Sequence, residues 1–231
     1  MEIPKGVGGQ RIKSDFSKVT NEDIMNELSL MTLGDFEPLD ILINVNQYKK
    51  EIALFENDWV TYLPKEGRVN NRHGLSFTTM PGGDHTSLPS LGEICFKEQR
   101  KVSENEMCEP TELYDTCESL HPWFNLFPKL GRTFVVRCGI GGYFPPHRDW
   151  PALKRDSFRL IAFMTGCAPY EYDWLMNDQK MMIEPGRVYY VNTRKTHRTV
   201  SWHKNSQHIV MNLPMTTENV ATVISRYQHR H

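Results

Sequence analysis

The chain has 231 residues, 39% hydrophobic and 24% charged, with a formal net charge of −1. That size and balance suit a single domain that buries a core, and they argue against nucleic-acid binding driven by bulk positive charge. No apolar run approaches the length that spans a bilayer, and the polar, Gly-rich stretch from Met1 to Phe16 lacks the apolar core of a secretory leader.

The five cysteines (Cys95, Cys108, Cys117, Cys138, Cys167) include no C-x-x-C pair. Neither a structural zinc site nor a disulfide framework is expected, and a reducing, cytoplasmic location fits better.

In chain order, Thr20-Asn21-Glu22-Asp23 reads as a helix start, a Thr cap with an acidic residue three positions on. Ile24, Leu28 and Leu30 follow at roughly helical spacing. Phe36 to Tyr48 is mixed, with Ile41, Ile43 and Val45 alternating. Pro64 to Leu91 is rich in Gly, Pro, Asn and Thr and reads as loop, with one strand around Gly74 to Thr79. Its part from Gly67 to Leu91 is expected to form a lid or substrate wall. Thr111 to Leu120 reads as helical.

Beyond Pro128 the texture becomes that of short strands: Thr133 to Cys138, Phe158 to Thr165, Arg187 to Asn192, Thr199 to Trp202 and His208 to Leu213. Strands this close, without helices between them, predict a mainly β fold with flanking helices, a jelly roll or double-stranded β-helix of the cupin kind. One domain over 1–231 is expected. It would comprise a helical and irregular part (1–125), a catalytic β core (126–215) and a C-terminal tail (216–231), the last ending in His229-Arg230-His231.

The run Gly141-Gly142-Tyr143-Phe144-Pro145-Pro146-His147-Arg148-Asp149 carries the chemistry. With nine histidines and 28 acidic residues, roughly one His-x-acid pair arises by chance, so the pair gains weight only from its place. Residues two apart on a strand share a face, so His147 and Asp149 can bind one ion. His197, some fifty residues on, starts a strand that can lie beside the first. Two His and one carboxylate on one face of a metal leave the other face open, which suits non-haem Fe(II). The alternative for each histidine is a purely structural role.

From Tyr143 to Leu213 the order of motifs resembles the aspartyl/asparaginyl β-hydroxylase-like branch of the 2-oxoglutarate/Fe(II) oxygenases, which includes hydroxylases of free proline. The matching parts are His147-x-Asp149, the strand Phe158-Arg159-Leu160 and the strand Gly186-Arg187-Val188 running to Asn192. His197 leading to Trp202 and a final apolar strand complete the set. Asn71-Arg72-His73-Gly74-Leu75 also resembles substrate-side loops of that branch.

The resemblance implies Fe(II) on His147, Asp149 and His197, with 2-oxoglutarate as co-substrate and O2 as oxidant. It further implies hydroxylation of an unactivated C–H, with a small-molecule or peptide substrate such as an amino-acid side chain, free or in a polypeptide. In that family an Arg on the last strand holds the far carboxylate of 2-oxoglutarate, and this chain has none there. Arg159 is the favoured replacement, because guanidinium pairs with carboxylate in bidentate fashion; His208 is the second candidate. Tyr143 is a candidate donor to the co-substrate and Arg137 a candidate holder of an acidic substrate.

Three other readings stay open at this level. They are a non-catalytic cupin-like binding domain, a cupin-type metal enzyme that does not use 2-oxoglutarate, and a jelly roll with a structural role.

Overall fold

The computed structural model describes residues 20–62, 71–149 and 156–227. The elements before the central strands are α1 (Asn21–Met31), β1 (Phe36–Leu42), α2 (Val45–Ile52), β2 (Val60–Thr61), β3 (Arg72–Ser76), β4 (Thr78–Thr79), α3 (Leu91–Lys97), β5 (Glu109–Pro110), α4 (Glu112–Thr116) and α5 (His121–Phe124). There follow β6 (Thr133–Cys138), β7 (Tyr143–His147), β8 (Ser157–Phe163), β9 (Tyr172–Met176), β10 (Gln179–Lys180), β11 (Arg187–Val191), β12 (His197–Ser201), β13 (Ser206–Pro214) and α6 (Thr217–Ser225).

Two antiparallel sheets make the jelly roll: a seven-stranded sheet in the order β1-β11-β8-β13-β6-β3-β2 and a four-stranded sheet in the order β10-β9-β12-β7. A two-stranded ladder, β4-β5, lies apart from both. Strands alternate their side chains between two apolar layers. In β8, Phe158, Leu160 and Ala162 enter a core shared with the helices, while Ile161 and Phe163 enter a second core shared with the four-stranded sheet. Arg159 has the parity of Ile161 and Phe163, so it projects toward the smaller sheet.

Several expectations change. Residues before 126 are not only helical and irregular: β1, β2 and β3 extend both edges of the large sheet. The expected C-terminal tail forms α6, with Val220 and Val223 buried and Thr216 capping its first turn. The Thr20 cap does form, with Thr20 and Asp23 bonding each other's backbone N–H. The helix it starts, however, buries Asn26 and Leu30 and leaves Ile24 and Leu28 exposed.

The connection after β8 holds a hairpin, β9–β10, turned by Asn177 and Asp178 at φ 47° and 66°, the left-handed pair that a two-residue hairpin loop requires. In the loop-rich stretch, the segment after β4 folds back on β3: Ser76 N–H donates to His85 O and Ser76 Oγ to Ser87 O. Residues 63–70, which include the start of the expected lid, and His229-Arg230-His231 lie outside the described residues. All five cysteines are unpaired. Among the described residues no helix is long and apolar enough to cross a membrane.

Candidate metal centre

β7 and β12 pair with His197 opposite His147, which places the two imidazoles 4.2 Å apart, centre to centre. Each ring is pinned in the same way. His147 Nδ1 lies 2.7 Å from Pro145 O, and His197 Nδ1 lies 3.0 Å from Lys195 O. A carbonyl only accepts, so each Nδ1 carries a proton and each Nε2 is the ring atom left to face an ion.

The Nε2 atoms point at Asp149, 3.4 Å from Oδ1 for His147 and 3.8 Å from Oδ2 for His197. Asp149 follows β7 and is tied by its N–H to Thr193 O at 3.0 Å. One ligand atom from each residue lies within 4.8 Å of the others. Three converging ligand atoms, two of imidazole and one of carboxylate, fit a divalent ion bound on one face.

The electrostatics agree with that geometry. Burial alone would raise Asp149, yet the Arg159 guanidinium and both imidazoles hold its carboxyl well below the usual range. Burial likewise opposes charge on His147, but the hydrogen bond and charge of Asp149 outweigh it and lift its pKa. His197, 4% exposed and stacked flat on Trp174 at 5.4 Å, is lowered by burial.

The triad opens into a cavity of about 160 Å³ between the sheets. Arg159 and Thr193 stand beside the triad, while Tyr62, Phe144, Trp174, Thr199 and His208 are further parts of its wall. His208 is packed among the rings of Phe144, Phe163, Tyr172 and Trp174. Burial pushes its pKa down to about 3, so it is neutral, with Nδ1 3.3 Å from the Tyr172 hydroxyl. Trp174 Nε1 is buried without a hydrogen-bond partner among the described residues, an unusual state for a cavity-lining polar atom.

The candidate residues separate into two groups. His147, Asp149, His197, Arg159 and His208 share the cavity. Tyr143 and Arg137 do not line it. The pairing of β7 with β12 runs from His197↔His147 to Thr199↔Phe144, an extra residue on β7 that makes a bulge. The bulge reverses the alternation, so Phe144 faces the cavity and Tyr143 is left 47% exposed. Arg137 has the parity of Val135, on the opposite sheet face, and its NH1 donates to Glu56 Oε1 at 2.7 Å while its guanidinium covers Trp59 at 4.3 Å. Trp202 is exposed and donates to Asp173 Oδ2. Arg198 pairs with Asp178, away from the triad.

One charged neighbour has no mark in the sequence. Glu104, in the 3-10 turn Glu104–Glu106, is 2% exposed and binds Arg159 NH2 at 3.3 and 3.1 Å. It stands in the polar string Ser103-Glu104-Asn105-Glu106, which reads as a surface turn. Trp174 lies on β9, between the strands expected at Phe158 to Thr165 and Arg187 to Asn192, where the sequence marked no strand.

No family model and no curated protein matches the chain. Among solved structures, it is similar to a viral collagen prolyl hydroxylase from Paramecium Bursaria Chlorella virus-1 in complex with 2-oxoglutarate. The identity there is 13% over 78% of this chain and 94% of that one, with a TM-score of 0.40. It is also similar to a prolyl hydroxylase from Trichoplax adhaerens in complex with a peptide of hypoxia inducible factor, at 9% identity over 86% and 92%, TM-score 0.44. A third is KdgF from Halomonas sp., at 16% identity over 36% and 67%, TM-score 0.29.

Proposed function

We propose that this chain is an Fe(II)- and 2-oxoglutarate-dependent dioxygenase that hydroxylates an unactivated C–H of an amino-acid side chain, free or in a polypeptide. The observation that carries the reading is the convergence of two Nε2 atoms and one carboxylate on the wall of a cavity. His147, Asp149 and His197 would hold the iron, which when bound with 2-oxoglutarate and O2 supplies the oxidising power for C–H cleavage. The residues around it orient the ligands and exclude water: Phe144, Ile161, Val136 and Trp174 line the cavity with apolar surface.

For the far carboxylate of the co-substrate, position favours His208 over Arg159. The Arg159 side chain is bonded to Asp149, Glu104 and Asn212 at the metal end. His208 sits on β13 with the Tyr172 hydroxyl beside it, and neutral donors there can hydrogen-bond a carboxylate. The near-zero net charge speaks for a small-molecule or peptide substrate over nucleic acid.

The test is succinate formed from 2-oxoglutarate with Fe(II) and O2, without any other substrate. The wild type is expected to form it slowly and Asp149→Ala to lose nearly all turnover; full turnover in Asp149→Ala would refute the reading. One observation favours a second reading, a cupin-type metal enzyme that does not use 2-oxoglutarate: His208, the candidate anchor on the last strand, is uncharged. Tight metal binding with no succinate from any 2-oxoglutarate incubation would select it.

A further inference from the structure

Arg159 is held on three edges. Its Nε donates to Asn212 Oδ1 at 2.7 Å, NH1 to Asp149 Oδ2, and NH2 to both oxygens of Glu104. Glu104 is itself fixed. Its carboxylate also meets Arg132 NH1 at 3.4 Å, and its backbone carbonyl accepts from Arg132 N–H at 2.8 Å. On either side, Ser103 Oγ donates to Asp156 Oδ2 and Asn105 Nδ2 to Asp156 O, both at 2.8 Å. Gly131 lets this turn approach β13: a Cβ there would lie 3.0 Å from Glu104 O and 3.1 Å from Asn212 O.

A buried carboxylate thus reaches a partly buried arginine 55 residues away in sequence, and that arginine grips one oxygen of Asp149. Taking two charges out of water for stability alone is a weak return, whereas aiming a ligand is a known use of such outer partners.

We propose that Glu104 is a positioning residue of the metal centre. By fixing the Arg159 guanidinium it keeps Arg159 NH1 on Asp149 Oδ2 and leaves Oδ1, the oxygen nearer His147, to meet the ion. The four charges of Glu104, Arg132, Arg159 and Asp149 cancel, so the ion enters a site with no net charge of its own. Without Glu104, Arg159 swings free of its third edge and the site gains an uncompensated positive charge. This inference rests on the metal reading of the triad.

The experiment is titration of the metal-free protein with Co(II), read by equilibrium binding and by the visible bands of the bound ion. Glu104→Gln is expected to raise the dissociation constant about tenfold or more and to change the band pattern. In an Arg159→Gln background the same change should add less than about twofold, because the path through Arg159 is already cut. If Glu104→Gln does not fold, Glu104→Asp, which keeps the charge but shortens the reach, is expected to change the bands with a smaller loss of affinity. Wild-type affinity and bands in the Glu104 variants, or a loss that simply adds to that of Arg159→Gln, would overturn the proposal. Failure of the wild type to bind Co(II) in a manner abolished by His197→Ala would instead overturn the triad reading beneath it.

Discussion

At His208 the native structure keeps an imidazole neutral down to a pKa of about 3, whereas the same side chain titrates near 6.5 in an unfolded chain. Between those values the unfolded state binds a proton that the native state refuses. The stability contribution is therefore complete above about pH 6.5 and is lost as pH falls toward 3, at roughly 1.4 kcal/mol per pH unit. Burial lowers His197 as well, so its contribution has the same sign. Urea unfolding of metal-free protein from pH 4 to 7 should show a steep loss toward acid that is shallower in His208→Phe; equal slopes would mean that His208 is not neutral in the fold.

The same scale shows why the site was only partly legible. His147 and Asp149 are two apart, and local spacing exposes such a pair. Glu104 meets Arg159 only through the tertiary fold, so no local pattern marks it. Tyr143 and Arg137 were candidates by strand arithmetic, and a bulge and a sheet face moved them out of the cavity.

Among elements, β6, β8, β11 and β13 were readable because both of their faces are buried, which makes β-branched and aromatic runs. β9 alternates Tyr172, Trp174 and Met176 inward against Asp173 and Leu175, but it is short and follows a turn-rich stretch, so no strand was expected there. β1 was not read as a strand, and the strand read around Gly74 to Thr79, which the structure divides into β3 and β4, was not placed in the sheet, because the partners of β1 and β3, β11 and β6, lie far along the chain.

The turn that carries Glu104 depends on Gly131. Gly131→Ala would push a methyl against two backbone carbonyls, an overpacking that typically costs about 1–3 kcal/mol. A lower melting temperature together with weaker Co(II) binding is expected. An unchanged metal affinity would separate this turn from the metal centre.

For the molecule as a whole, the helices complete the fold. α6 packs on α1, with Thr217 Oγ1 donating to Glu22 Oε1 at 2.6 Å, and inserts Val220 and Val223 into the core shared with the large sheet. Truncation after Met215 removes both valines, worth roughly 3–6 kcal/mol of burial, and should lower the unfolding midpoint sharply; a dispensable tail would leave it in place.

Metal should act on the whole fold too. An ion that binds only the native state stabilises it by about 2.7 kcal/mol at a hundred times its dissociation constant. The melting temperature should therefore rise with Co(II) in the wild type and stay flat in His147→Ala.

If His147, Asp149 and His197 hold iron, the ion keeps open positions for 2-oxoglutarate. The most direct measurement adds Fe(II) and then 2-oxoglutarate to the protein without oxygen and follows visible absorbance. A new band that saturates with 2-oxoglutarate at one equivalent of iron, and is absent in His197→Ala, is the predicted result. Iron binding without such a band, or the same band in His197→Ala, would mean that the triad does not hold iron together with 2-oxoglutarate.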